Sequence, residues 1–325
     1  MKDVKISFVI PCYGSEYTLE GVVNDIRAVM KKIDVRDYEI ILVNDNSPDG
    51  VVSVIYKLVE NDSEHICGID LARNFGQHSA LMAGYREVTG DIVVSLDDDG
   101  QSPASAVPDL INKLEQGYDV VYASYQNKKH SFFRNLGSRL NDWMAEIMLE
   151  KPKELYISSF FVARRFIIDE LTRYPNAYPY MQGLVLRSTH NIGNCPVNHK
   201  SRTKGASGYT IGKLFHLWLN GFTSFSVKPL RISILCGFIC AFLGFCGMLW
   251  MLVGHFIGMK PPIGYSSIMI VLLFIGGMLM IMLGLIGEYV GRTFICLNRA
   301  PQYVIRQVIG RKSHSQVDKN YIKML

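Results

Sequence analysis

Short apolar runs alternate with amphipathic stretches through the first 125 residues. KISFVIP (5–11) is an apolar strand ending near a proline, and residues 16–33 then place apolar side chains at helical spacing, with Ser15 positioned as N-cap. YEIILVN (38–44) reads as a second strand, closed by the turn-forming DNSPDG. Residues 51–60 follow as helix and HICGID (65–70) as a third strand. A helix over 77–88, the strand DIVVSLD (91–97), a helix over 107–116 and the strand DVVYAS (119–124) complete the series. This rhythm predicts an α/β fold with a mainly parallel sheet covered by helices on both faces. Such sheets bind ligands at the carboxyl ends of their strands, where the acidic residues of this chain stand.

The pattern changes further on. Residues 131–150 predict a helix with Arg134, Ser138 and Asp142 on one face, at i, i+4 and i+8. Residues 155–200 are mixed and give no firm element. Residues 209–223 resemble an interfacial amphipathic helix, with Leu214, Phe215, Leu217, Trp218 and Leu219 around Lys213 and His216. Residues 232–254 and 265–287 are uncharged throughout, and each is long enough, at about 34 Å as a helix, to cross a hydrocarbon core of about 30 Å. The connection between them holds one lysine and a Pro-Pro pair, whereas the outer flanks carry Lys and Arg. The positive-inside rule therefore places both flanks and both termini in the cytosol, as a multi-pass protein of the plasma (inner) membrane. The expected division is an α/β domain over 1–208, an interfacial segment over 209–231, a two-helix hairpin over 232–287 and a cytosolic tail over 288–325. MKDVKISFVIP enters a strand at once, without the apolar core of a signal peptide.

Composition refines this picture. The apolar fraction of 49% averages over two regimes, and the net charge of +5 is modest. Lys228, Arg231, Arg292, Arg299, Arg306, Arg311 and Lys312 cluster beside the apolar segments, which suits anionic lipid heads and not a nucleic-acid stripe. The seven cysteines show no metal-ligand pairing and read as small reduced hydrophobes.

The chemistry-bearing signals follow strands. In LDDDGQSP (96–103), Asp97 closes a strand and Asp99 stands two residues on, so that both carboxylates can turn toward one hard divalent cation. Gln101 offers a neutral third oxygen. In VNDNSPDG (43–50), Asp45 can accept a hydrogen bond from a base imide or a ribose. The chain has neither G-x-G-x-x-G nor a P-loop, so dinucleotide and P-loop readings have no anchor.

VIPCYGSE, VNDNSPDG, RNFGQHSALMAG, LDDDGQSP, the paired apolar segments, GLIGEYVGR (284–292) and RAPQYVIRQVIG (299–310) together resemble glycosyltransferase family 2, and within it the polyprenyl-phosphate glycosyltransferases. The resemblance covers nearly the whole chain and implies a GT-A, Rossmann-like catalytic domain. It implies that Pro11, Tyr13, Glu16 and Asp45, with Asp97, border the nucleotide, and that Asp97, Asp99 and Gln101 hold Mg²⁺ or Mn²⁺ on its diphosphate. Arg134 and Ser138 match phosphate-facing positions, and Arg202, in HKSRTKGASGYT (199–210), matches an arginine that meets the diphosphate or lipid phosphate. Asp99, Arg134, Ser138 and Arg202 are thus the expected catalytic set. The resemblance further implies a nucleotide-sugar donor, UDP-linked by expectation, a polyprenyl phosphate acceptor in the membrane, and a homo-oligomer, a tetramer.

The chain departs from the family pattern twice. Ser207-Gly208-Tyr209 stands where relatives often have Ser-Lys-Tyr, so one phosphate contact is missing unless Lys204 or Lys213 replaces it. Leu155, Tyr156 and Ile157 precede SSFFVARR where many members have an aspartate, so no catalytic base is assigned. A processive polysaccharide synthase is the rival within the family, but its expected Q-x-x-R-W motif is absent. A non-catalytic partner that kept the fold is the rival outside catalysis, opposed by the intact Asp97/Asp99/Gln101 set.

Overall fold

The structure, a computed structural model, describes residues 4–125, 151–152, 154–197, 264–298 and 300–310, with isolated positions at 239, 242, 246, 253, 256 and 257. The predicted helix over 131–150, the interfacial segment, most of the 232–254 span, and the residues Arg134, Ser138 and Arg202 lie outside the described residues. The chain divides into two compact units, Met1–Gly208 with Arg299–Leu325, and Tyr209–Asn298.

The first unit is built on one eight-stranded sheet in the order β7-β5-β6-β4-β1-β2-β3-β8. The strands are β1 Ile6–Cys12, β2 Tyr38–Asn44, β3 Ile66–Leu71, β4 Ile92–Ser95, β5 Val120–Tyr125, β6 Phe161–Arg164, β7 Ile192–Val197 and β8 Ile305–Ile309. β1 pairs in parallel with β2 and β4, β2 with β3, and β5 with β7, while β6 and β8 run against their neighbours. Every residue of β1 is buried, as a strand covered on both faces requires.

The helices are amphipathic in the expected way. In α1 (Leu19–Lys32) the buried residues Leu19, Val22, Val23, Ile26 and Met30 form one stripe. α2 (Val51–Asn61) buries Val51, Ile55, Leu58 and Val59, and α4 (Val107–Glu115) buries Val107, Leu110, Ile111 and Leu114. Each such side chain removed from water contributes about 1.5–3 kcal/mol before ordering costs. α3 (Gln77–Arg86) is buried continuously from Ser79 to Tyr85, and its close seat depends on Gly84. A Cβ there would stand 2.5 Å from Val9 Cγ1 and 3.1 Å from Val43 Cγ2. α5 (Arg165–Thr172) and α6 (Met181–Ser188) are the further described helices of this unit, in the mixed stretch for which no firm element is expected.

Three local expectations are corrected. α1 begins at Leu19 and not beside Ser15, and its N-cap position is Thr18, without a side-chain cap bond. The residues before it are committed elsewhere: the Glu16 amide donates to Asp49 Oδ2 at 2.9 Å and Thr18 Oγ1 to the Asp98 carbonyl at 2.7 Å. β4 stops at Ser95, so Asp97 stands in the turn beyond the strand and does not close it. The tail segment contains a strand, β8, added antiparallel to β3. Cys12, Cys67 and Cys195 are buried and form no disulfide among the described residues, and burial pushes the Cys12 thiol well above its ordinary range.

In the second unit the principal described element is α7, Tyr265–Leu297, 33 residues long and thus ten residues longer than the expected second span. Among the described residues no helix is long and apolar enough to cross a membrane.

Candidate active site

The turns that follow β1, β2, β3 and β4 gather at one edge of the sheet, and backbone groups stitch them together. Gly14 N–H donates to Ser47 Oγ at 2.8 Å, and Gly50 N–H donates to Glu16 Oε2 at 3.1 Å, joining the β1 turn to the β2 turn. Tyr13 N–H donates to Asp98 Oδ2 at 2.9 Å, joining the β1 turn to the β4 turn. Asp45, at the end of β2, is buried and accepts from the Phe75 and Gly76 amides of the β3 turn. Gly76 has φ of +88°, a conformation that glycine adopts at little cost. Burial raises the Asp45 carboxyl from its ordinary range, and the two amides partly offset that shift.

The expected nucleotide residues therefore share one edge but differ in availability. Tyr13 is 54% exposed. Pro11 is buried in β1, opposite Val43. Glu16 and Asp45 spend carboxylate oxygens on loop amides, so their described work is to hold the cradle in shape.

Asp97 is fixed on both oxygens. Gln77 Nε2 donates to Oδ1 at 2.8 Å, and Ser159 Oγ donates a short hydrogen bond to Oδ2. Burial raises its carboxyl, and the negative charge of Asp99 adds to the shift. Asp99 accepts from the Gln101 amide at 3.0 Å, across a turn in which Gly100 has φ of +74°. Asp98, which the sequence reading passed over, is pushed up to about 6 by burial, with smaller contributions from Asp97 and Asp99. Gln77 and Ser159 were also missed, since each meets Asp97 across a long stretch of sequence.

Two carboxylates and one amide oxygen are a fitting donor set for Mg²⁺ or Mn²⁺, which take one or two carboxylates and complete their shell with phosphate oxygens and water. Among the described residues no group of three His, Cys, Asp or Glu side chains is placed to hold a metal ion. The negative charges of Asp97 and Asp99 repel each other, and a cation between them would relieve that repulsion.

A small cavity of about 30 Å³ lies beside Asp97's partners Gln77 and Ser159 and is also lined by His78 and Gln182. His78 Nδ1 and Gln182 Oε1 are shut off from solvent and find no hydrogen-bond partner among the described residues, and the His78 ring meets Tyr180 edge-on at 5.5 Å. A larger cavity of about 780 Å³, at α5 and α6, contains none of the predicted site residues.

Residues 7–172 match the family described as Glycosyl transferase family 2, and residues 228–293 match the one described as the GtrB C-terminal hairpin. A protein of Enterobacter sp. (strain 638), named undecaprenyl-phosphate 4-deoxy-4-formamido-L-arabinose transferase, is 33% identical over 320 residues, covering 97% of each chain. A protein of the same name from Sodalis glossinidius is 33% identical over 313 residues, covering 96% of each. Among solved structures, a mycobacterial protein matches with a TM-score of 0.50 at 18% identity, covering 69% of this chain and 75% of its own, a likeness of fold. Glucosyl-3-phosphoglycerate synthase of Mycobacterium tuberculosis, solved with Mn²⁺, UDP and phosphoglyceric acid, matches with a TM-score of 0.49 at 19% identity, over 66% and 75%. The GT-A sheet, the acidic turn after β4 and two near-full-length relatives agree: the chain belongs to the family 2 glycosyltransferases.

Proposed function

We propose that this chain transfers one sugar, with inversion, from a nucleotide sugar to undecaprenyl phosphate at the cytosolic face of the plasma membrane, and that the donor is UDP-linked. The observation that carries the reading is the acidic turn after β4, with Asp97 held by Gln77 and Ser159 beside the stitched β1, β2 and β3 turns. That turn belongs to a chain whose relatives, over almost their full length, are named as undecaprenyl-phosphate sugar transferases.

In the proposed reaction an oxygen of the lipid phosphate bonds to the anomeric carbon as the bond from that carbon to the donor's β-phosphate oxygen breaks. The nucleoside diphosphate leaves with the electron pair. A phosphate monoester has a second pKa of about 6, so its nucleophilic oxygen is already ionised at neutral pH and needs no base. Asp97, Asp99 and Gln101 would hold Mg²⁺ or Mn²⁺, which supplies positive charge to the leaving diphosphate. Arg134, Ser138 and Arg202, proposed from the sequence, receive phosphate oxygens, the arginines with paired donors. Tyr13 flanks the nucleotide, and Asp45 and Glu16 keep its cradle closed. Two spans, 232–254 and 265–287, anchor the enzyme with both termini cytosolic, and the assembly proposed is a homo-oligomer, a tetramer.

A panel of nucleotide sugars mixed with undecaprenyl phosphate, read by the mass of the glycolipid, tests this directly. One UDP-sugar should react and the free polyprenyl alcohol should not. Arg202→Ala should weaken use of the lipid phosphate at least about tenfold, and Arg202→Lys should restore only part. Equal glycosylation of the alcohol would overturn the reading.

A further inference from the structure

β8 follows α7 in the chain and pairs with β3 in the register Gly68↔Ile309, Ile69↔Val308, Asp70↔Gln307 and Leu71↔Ile305, with an irregularity between Asp70 and Leu71. Arg306 falls at that irregularity and has no ladder partner of its own. Its guanidinium reaches three acceptors: Asp70 Oδ2 at 2.9 Å, Asn46 Oδ1 at 3.0 Å and the Ala72 carbonyl at 2.9 Å. Asn46 lies in the turn after β2 and Ala72 in the turn after β3, so one planar group spans both turns. Asn46 has φ of +48°, in the left-handed region that costs a side-chain-bearing residue energy unless it is held. The neighbouring contacts converge on the same seam. Asn44 Nδ2 donates to the other Asp70 oxygen at 2.7 Å, and Asp45 takes the Phe75 and Gly76 amides.

We propose that Arg306 is a positioning residue for the donor nucleotide: from the strand that follows α7, it fixes the spacing of the β2 and β3 turns between which the nucleoside is held. The proposal rests on the donor reading given above. It assigns Arg306 no contact with substrate. A lysine in its place carries the charge but lacks the rigid fork that serves three acceptors at once. Gln307, next in the strand, provides the comparison, because it accepts from Tyr56 Oη at 2.9 Å on α2 and so anchors β8 away from the turns.

The test uses the full-length protein in detergent, titrated calorimetrically with UDP in the presence of Mn²⁺, alongside donor and lipid kinetics. Arg306→Ala should weaken UDP at least about tenfold and raise the donor KM by a similar factor, with kcat and the lipid KM within about threefold of wild type. Arg306→Lys should recover part of the loss, and Gln307→Ala should bind UDP within about twofold of wild type. Unchanged UDP affinity in Arg306→Ala overturns the proposal, as does an equal loss in Gln307→Ala, which would reduce Arg306 to strand docking. If Arg306→Ala does not fold, Arg306→Lys decides, and wild-type affinity in that variant overturns the proposal. A wild-type protein that binds neither UDP nor another nucleoside diphosphate overturns the donor reading and this proposal with it.

Discussion

Asp45 and Gly76 are joined through a carboxylate that also serves the preceding residue: Oδ2 accepts from Gly76 N–H at 2.8 Å while Oδ1 accepts from Phe75 N–H at 2.7 Å. Asp45→Asn replaces one acceptor oxygen with a donor, leaving one buried amide facing an NH₂ group. The expected cost is about 1–3 kcal/mol of stability. A lower melting temperature together with weaker UDP binding is the predicted result, and an unchanged melting temperature would refute it.

Asp99→Asn preserves shape and removes the charge expected to hold the cation. Turnover should fall at least about a hundredfold, the scale on which a major electrostatic stabiliser is lost. EDTA should abolish wild-type turnover, and Mn²⁺ or Mg²⁺ should restore it. Full activity in metal-free buffer would remove Asp97, Asp99 and Gln101 from the metal role.

Burial holds the His78 imidazole at about 4, below its ordinary 6.5. The unfolded chain binds a proton at this residue between those two values and the folded chain does not. Its contribution is therefore full above about pH 6.5 and is lost as pH falls toward 4, amounting to at most about 3 kcal/mol. Denaturant midpoints measured from pH 7 to 4.5 should decline less steeply in His78→Gln than in wild type. Parallel declines would show that His78 titrates normally.

A protease site inserted at residues 259–262 should be cut only from outside sealed cells, with tags at both ends of the chain protected. Cleavage from the cytosolic side, or opposite sidedness of the two tags, would show that a proposed span is misassigned.

Much of the fold was legible because its information is local. β1 to β5 carry apolar residues in runs of strand length, and α1, α2 and α4 show their buried stripes directly. Asp97 and Asp99 could be read because they stand just after an apolar run. β6 could not, because Phe161–Arg164 is only four residues long and gains its identity from antiparallel partners in β4 and β5. β8 was hidden for the same reason: IRQVI mixes polar and apolar positions, and its partner strand lies more than two hundred residues earlier. The links Ser159–Asp97 and Arg306–Asn46 are also non-local. Residue type suggested which carboxylates were available for chemistry, but only the fold showed that Asp45 and Glu16 are engaged by backbone amides.

The pairing of β8 with β3 also imposes a parity rule on the chain. Residues leave the sheet after Val197 in β7 and rejoin it at Ile305 in β8, so whatever path the intervening segment takes must be a round trip. A polypeptide cannot cross a bilayer an odd number of times and still lay its last strand on a sheet that stayed behind. If α7 makes a crossing, a second crossing must lie between residues 198 and 304. Deleting either apolar segment alone would then strand β8 on the far side, leaving the edge of β3 unpaired and the guanidinium of Arg306 a membrane's width from the turns it joins.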